Sequence, residues 1–154
     1  MSKRSVTHAS FTIERTYDAK PARVFAAWTQ PEAKARWFAG PDEWQKEKHQ
    51  LDFRVGGRER AAGGPEGGPV HRYDATFLDI VPDERVVSVY DMHLDDVRIS
   101  VSLATVEFKA AEKGTRLVYT EQGAFLDGYD DPAGREEGTH ALLDKLGAEL
   151  ARSA

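Results

Sequence analysis

A chain of 154 residues without cysteine can form no disulfide, thiolate metal site or cysteine nucleophile, and one domain of this length buries roughly 70% of its unfolded surface. Asp and Glu number 26 against 21 Lys and Arg, a formal net charge of −5, and the basic residues are dispersed among acids, which argues against a nucleic-acid surface. No apolar run is long enough to span a bilayer, and the opening MSKRSVTHAS lacks the apolar core of a signal peptide, so the expectation is a cytoplasmic protein with no membrane partner.

Residues 10–17, SFTIERTY, alternate, with Phe11, Ile13 and Tyr17 on one face and Thr12, Glu14 and Thr16 on the other. Period two with one polar face predicts a half-buried strand. Asp18 to Pro21 supplies a turn and a helix start, followed by Val24, Phe25, Ala27 and Trp28. The stretch WTQPEAKARWFAG then places Pro31 between two tryptophans. Proline suits the first turn of a helix, where its missing N–H is not needed. The segment therefore reads as two short helices, the second over 31–37, with Gly40-Pro41 as the stop.

Strands follow. HQLDFRV alternates Leu51, Phe53 and Val55 against Asp52 and Arg54, Gly56-Gly57 turns the chain, and GGPEGGP over 63–69 is a hairpin loop. Tyr73, Ala75 and Phe77 share one parity while Leu78 and Ile80 take the other, the mark of a bulge that bends a strand. Pro82-Asp83-Glu84 leads into RVVSVYDMH, and His93 to Asp96 into VRISVSLATVEF. Val97, Ile99, Val101 and Leu103 share one parity and Val106 and Phe108 the other, so a second bulge is expected near Ala104-Thr105. After the turn Glu112-Lys113-Gly114, Leu117, Tyr119 and Glu121 fall on one face.

The last element changes period. Leu142, Leu143, Leu146 and Leu150 recur at helical spacing, with Glu136, Glu137, Asp144, Lys145 and Glu149 opposite, predicting a long helix over about 134–152. One apolar stripe needs one apolar surface, and a curved antiparallel sheet offers its concave face. Curvature keeps the helix from filling that concavity, so a cavity of about 300–1,000 Å³ is expected between them. Its walls are expected to include Trp28, Trp37, Phe38, Trp44, Tyr73, Phe77, Tyr90, Met92, Tyr119, Phe125 and Leu143. For Trp28 and Trp37, ordinary core packing is the competing reading.

The segments WTQPEAKARWFAG, DFRVGGR, ATFLDIVPDERVV, KGTRLVYTEQG and EGTHALLDKLGAEL stand in an order that resembles the SRPBCC superfamily. The branch it is most similar to is the one related to the activator of heat-shock protein 90 ATPase. The resemblance spans about residues 8–152 as a single domain. It implies an α+β helix-grip fold of the START/Bet v 1-like kind, a curved antiparallel sheet wrapped around a long C-terminal helix with two short helices after the first strand. It further implies binding of a small hydrophobic or aromatic molecule, with a polyketide cyclase or dehydratase-like enzyme, or a chaperone-interacting module of the stress response, as alternatives. Many members carry a tryptophan near the start of the last helix, where this chain reads EGTHALL with Thr139 and His140.

The five histidines show no metal-ligand spacing and GGPEGGP lacks the lysine and helix of a phosphate-binding loop, so neither metal nor cofactor is expected. Asp52, Glu59, Asp95-Asp96 and Asp130-Asp131 read as solvated strand edges or turns. The parity of Glu121 aims its carboxylate into the concavity, as a ligand anchor or general acid with a raised pKa, unless it lies at the wetted rim. His140, one turn before Asp144, either reaches a ligand at the pocket mouth or faces solvent. The loop GAFLDGYDDPAG, 123–134, carries Phe125, Leu126 and Tyr129, read as tucking into the cavity entrance. No residue pair is assigned to covalent or acid–base catalysis. A protein partner or a homodimer stays open.

Overall fold

The computed structural model describes residues 4–152; Met1–Lys3, part of the opening stretch read above, lie outside it. Strand β1 spans Val6–Tyr17 and is followed by helices α1, Pro21–Thr29, and α2, Pro31–Trp37. Seven further strands follow: β2 (Gln45–Lys46), β3 (Gln50–Leu51), β4 (Arg58–Gly64), β5 (His71–Val81), β6 (Arg85–Leu94), β7 (Val97–Ala111) and β8 (Gly114–Leu126). Helix α3, Pro132–Arg152, closes the chain.

The strands form one antiparallel sheet in the order β1-β8-β7-β6-β5-β4-β2, with β3 also paired to β4. β1 therefore leaves the edge of the sheet and returns through its last strand, Ile13 lying opposite Tyr119. Three helices on one face of a curved sheet make this an α+β helix-grip architecture. The core lies between that face and α3, where Ile13, Phe77, Val106, Phe108 and Leu117 meet Leu143, Leu146 and Leu150. No helix of the described residues is long and apolar enough to cross a membrane.

The α1–α2 corner follows from one residue. Gln30 must be extended because a proline follows it, and its φ of −85° and ψ of 124° show that it is. Its N–H closes α1 on Ala26 O and its carbonyl accepts the Lys34 N–H to open α2. Gln30 thus serves two helices, and the bend turns Trp28 and Trp37 toward each other, ring centroids 4.8 Å apart at 71°.

The phase slip in β5 is real: the pairing with β6 shifts between Phe77 and Asp79. The second bulge lies elsewhere. Pairing of β6 with β7 shifts between Met92 and His93, opposite Ile99, and is continuous through Ala104-Thr105. Inward positions of β7 are Ser100, Ser102, Ala104, Val106 and Phe108, whereas Val97 and Val101 are exposed. Apolar parity misled here because the inner face of β7 at this end carries serines that serve a buried charge.

Two more expectations shift. Of HQLDFRV only Gln50–Leu51 pairs as a strand; Val55 is exposed, and 52–57 is a tight turn. A Cβ on Gly57 would stand 2.1 Å from Asp52 O, and Gly56 takes a φ of +84°, so both glycines are required there. The strand β8 runs on to Leu126, so Phe125 belongs to the sheet and the true loop before α3 is only 127–131.

Several polar contacts hold α3 in place, among them Arg15 of β1 on Asp144 and His140. Tyr17 Oη donates to Leu143 O at 2.8 Å, its ring lying under Gly147 where the helix has no side chain. Lys145 Nζ donates to Ala39 O and Gly40 O beyond α2. Arg36 grips Glu149 through Nε and Nη2, the shortest bond 2.7 Å. Arg135 secures the other end from within the site described next.

Candidate functional site

Between the concave face, α3 and the α1–α2 corner lies a cavity of about 730 Å³. Trp28, Trp37 and Phe38 enclose one end, with Trp44 beyond them. Tyr73 and Phe77 from β5, Tyr90 and Met92 from β6, Tyr119 from β8 and Leu143 from α3 complete the wall. Consecutive ring contacts run from Trp28 through Trp37, Phe38 and Tyr73 to Tyr90, each step between 4.8 and 5.7 Å. Alternation in β5 and β6 delivers these rings to one face.

Ten of the thirteen side chains expected at the site line this cavity. Glu121, Phe125 and His140 do not. His140 points away, its Nδ1 3.0 Å from Arg15 Nη2 and its Nε2 3.7 Å from Glu136. Its spacing from Leu143 was compatible with either side of the helix, and Arg15 on β1 drew it outward. Phe125 is buried beneath the Arg135 guanidinium, 5.1 Å from ring centre to Cζ. Tyr129 stands at the mouth, 52% exposed, and Leu126 ends the strand.

Glu121 is inside, 1% exposed, and it is neither unpaired nor at the rim. Its Oε1 accepts from Tyr119 Oη at 2.7 Å, and its Oε2 from Tyr90 Oη at 2.7 Å, Ser102 Oγ at 2.9 Å and Arg135 Nη1 at 3.3 Å. Arg135 also donates to Tyr90 Oη, Ser100 Oγ and, at 2.6 Å, Asp130 Oδ2. Asp130 is thus a partner of a buried cation and not a plain turn residue. Burial works against the Arg135 charge, but the tyrosine, Glu121 and Asp130 around it outweigh that and hold its pKa above the ordinary value. Tyr90 and Tyr119 are pushed up, first by burial and then by the charges near them, so both hydroxyls stay protonated donors.

A second buried charge cluster stands at the opposite end. Lys34 of α2, 3% exposed, donates from Nζ to Glu59 Oε1 at 2.8 Å, and His49 Nε2 lies 2.7 Å from Glu59 Oε2. Glu59 is completely buried, which overturns its reading as a solvated strand residue. Burial alone would raise its pKa; the Lys34 charge and the hydrogen bonds from His49 and Lys34 outweigh that, and the carboxyl sits below its ordinary value. An ionised carboxylate only accepts, so His49 Nε2 carries the hydrogen. The ammonium also lies 4.9 Å from the Trp28 ring centre and 4.5 Å from that of Phe38, an arrangement favourable to a cation with few hydrogen bonds. Two polar atoms of this end, Trp28 Nε1 and His49 Nδ1, are buried with no partner.

Sequence reasoning passed over Lys34, His49 and Arg135 and placed Glu59 in solvent. The available signal lay in RERAA: Glu59 sits on the parity opposite Arg58 and Arg60, shared with Ala61. A carboxylate between two exposed arginines, on the face they avoid, points inward.

The architecture defines a helix-grip protein with an aromatic cavity open at its mouth, and comparison with known proteins agrees on the fold. Residues 18–151 match the family model described as activator of Hsp90 ATPase homolog 1-like protein, and the chain belongs to that family. A Rhizobium leguminosarum protein of known structure is 49% identical over 98% of this chain and 99% of its own, with a TM-score of 0.93. The Mll3558 protein of Rhizobium loti is 50% identical over 94% of this chain and 99% of its own, TM-score 0.87. An AHSA1-like protein from Aeromonas hydrophila, 22% identical over 94% of each chain, shares the fold at a TM-score of 0.71. No functionally curated protein matches the chain.

Proposed function

We propose that this protein binds a small, largely aromatic molecule in the cavity between the sheet and α3. The observation that carries this reading is a volume of about 730 Å³ walled by a continuous run of aromatic rings. Cavities of about 300–1,000 Å³ with apolar walls and a few fixed polar groups are the usual form of small-molecule sites.

Binding is favoured over proton transfer at Glu121. Four donors occupy its two oxygens, one of them the Arg135 guanidinium. A carboxylate whose oxygens are occupied this way, and which does not line the cavity, is not placed to move a proton on a ligand. The family's name refers to activation of an ATPase of the chaperone class, a role for which the cavity offers no mechanism.

Native mass spectrometry of the freshly purified protein, followed by fluorescence titration, tests the reading. Trp28 and Trp37 lie in the cavity wall, so an aromatic ligand is expected to quench their emission in a saturable way. A protein that carries nothing and gives flat titrations across a broad lipophilic library is not a small-molecule binder. Turnover of a bound compound that disappears in Glu121→Gln would replace binding with catalysis.

A further inference from the structure

The two polar ends of the cavity differ in what they have left to offer. At the Arg135 end the donors are engaged: Tyr90 and Tyr119 give their hydroxyl protons to Glu121, and both terminal nitrogens of Arg135 hold internal acceptors. A ligand oxygen arriving there meets the Asp130 carboxylate and a guanidinium whose two terminal nitrogens are already engaged.

The Lys34 end is the reverse. An ammonium has three N–H groups, and the only hydrogen bond Lys34 makes among the described residues is the one to Glu59. The Trp28 indole N–H has no acceptor. His49 gives its Nε2 hydrogen to Glu59 and its Nδ1 has no partner; in the neutral imidazole that atom is an acceptor. Lys34, Trp28 and His49 all belong to the cavity wall. Both orphaned nitrogens are covered in the empty wall, so contact with them needs a small shift of the rings.

We propose, on the reading of the cavity as a binding site, that its ligand is an uncharged hydroxylated aromatic compound whose hydroxyl is held at the Lys34–Glu59–His49 end. A hydroxyl is the smallest uncharged group that both accepts and donates. It therefore answers the unused donors of Lys34 and Trp28 and the unused acceptor of His49 together. A carboxylate is disfavoured, because Lys34 is already neutralised by Glu59 at 2.8 Å and a second anion would face the first. An ether accepts but leaves His49 unmatched.

Three compounds on one ring system separate these terms: 2-naphthol, 2-methoxynaphthalene and 2-naphthoate, titrated by calorimetry at pH 7. The expected order is 2-naphthol tightest, by about tenfold over the ether, with 2-naphthoate weaker than 2-naphthol. Trp28→Phe keeps a ring and deletes the N–H, and is expected to reduce affinity for 2-naphthol by about threefold or more. His49→Phe deletes the acceptor that the ether leaves unmatched and keeps the Lys34–Glu59 pair, so in it 2-naphthol and the ether should bind alike. If that variant does not fold, Trp28→Phe decides the matter. Equal affinity of the native protein for 2-naphthol and the ether, or tightest binding of 2-naphthoate, overturns this inference and leaves the cavity reading standing. Failure of both neutral compounds while the lipophilic library still quenches tryptophan also overturns it alone; a flat library overturns both.

Discussion

Two buried charges, Arg135 and Lys34, face the same cavity from opposite ends and are compensated in different ways. Arg135 is surrounded: two carboxylates, a tyrosine and a serine take its hydrogen bonds, and Glu121 in turn collects two tyrosines and a second serine. Lys34 has a single carboxylate and lets aromatic faces do the remaining screening. The difference teaches which charge is structural and which is available. A cation whose terminal nitrogens are both taken by internal acceptors fixes a helix end. One with donors to spare can take part in recognition.

The comparison is broken most severely by removing Glu59. Lys34 has no other carboxylate partner among the described residues, so Glu59→Ala strands a buried ammonium and is expected to cost about 3–5 kcal/mol in urea denaturation. Glu121→Ala should cost less, about 3 kcal/mol, because Arg135 keeps Asp130 at 2.6 Å. A larger loss from Glu121→Ala than from Glu59→Ala would reverse the assignment of the isolated and the shared charge.

Acid gives a third contrast. The folded carboxyl of Glu59 titrates below its ordinary value of 4.5. A group with a depressed folded pKa contributes its stability above the unfolded value and loses it as pH falls through the folded one. Asp127 and Glu149 are shifted in the same direction. They persist in Lys34→Met/Glu59→Leu, so that variant isolates Glu59: below about pH 4.5 its stability should fall less steeply than that of the native chain. Parallel acid curves would remove Glu59 from the account.

At neutral pH the same double variant is expected within about 1 kcal/mol of the native protein, since apolar replacement of a buried ion pair is often neutral or stabilising. The smallest effect belongs outside. Asp74→Asn removes the exposed Arg58 pair, and its melting temperature should not move measurably.

The legibility of the chain divides along similar lines. Helix periods, the proline corner at Gln30-Pro31 and the bulge after Phe77 were all readable, because each is a local signal of parity or backbone restriction. So were most aromatic wall positions, since bulk and alternation coincide there. What escaped was polar and inward. Ser100 and Ser102 reversed the apparent parity of β7, Glu59 read as solvated because charges normally are, and nothing in their own elements singled out Lys34 or Arg135. Each is buried only because a partner far along the chain meets it, Glu121 for Ser102 and Lys34 for Glu59. Pattern within one element carries no record of such pairs.

The attachments of α3 have a mechanical consequence. The stretch from Arg135 to Leu143 is about 12 Å of helix axis, anchored at one end by the guanidinium and at the other by Tyr17, Lys145 and the Arg36–Glu149 grip. A beam clamped at both ends does not sag when nothing stands beneath it. The roof of the cavity therefore keeps its height in the empty protein, and on the proposed binding role a guest would have to match a preset clearance instead of moulding one.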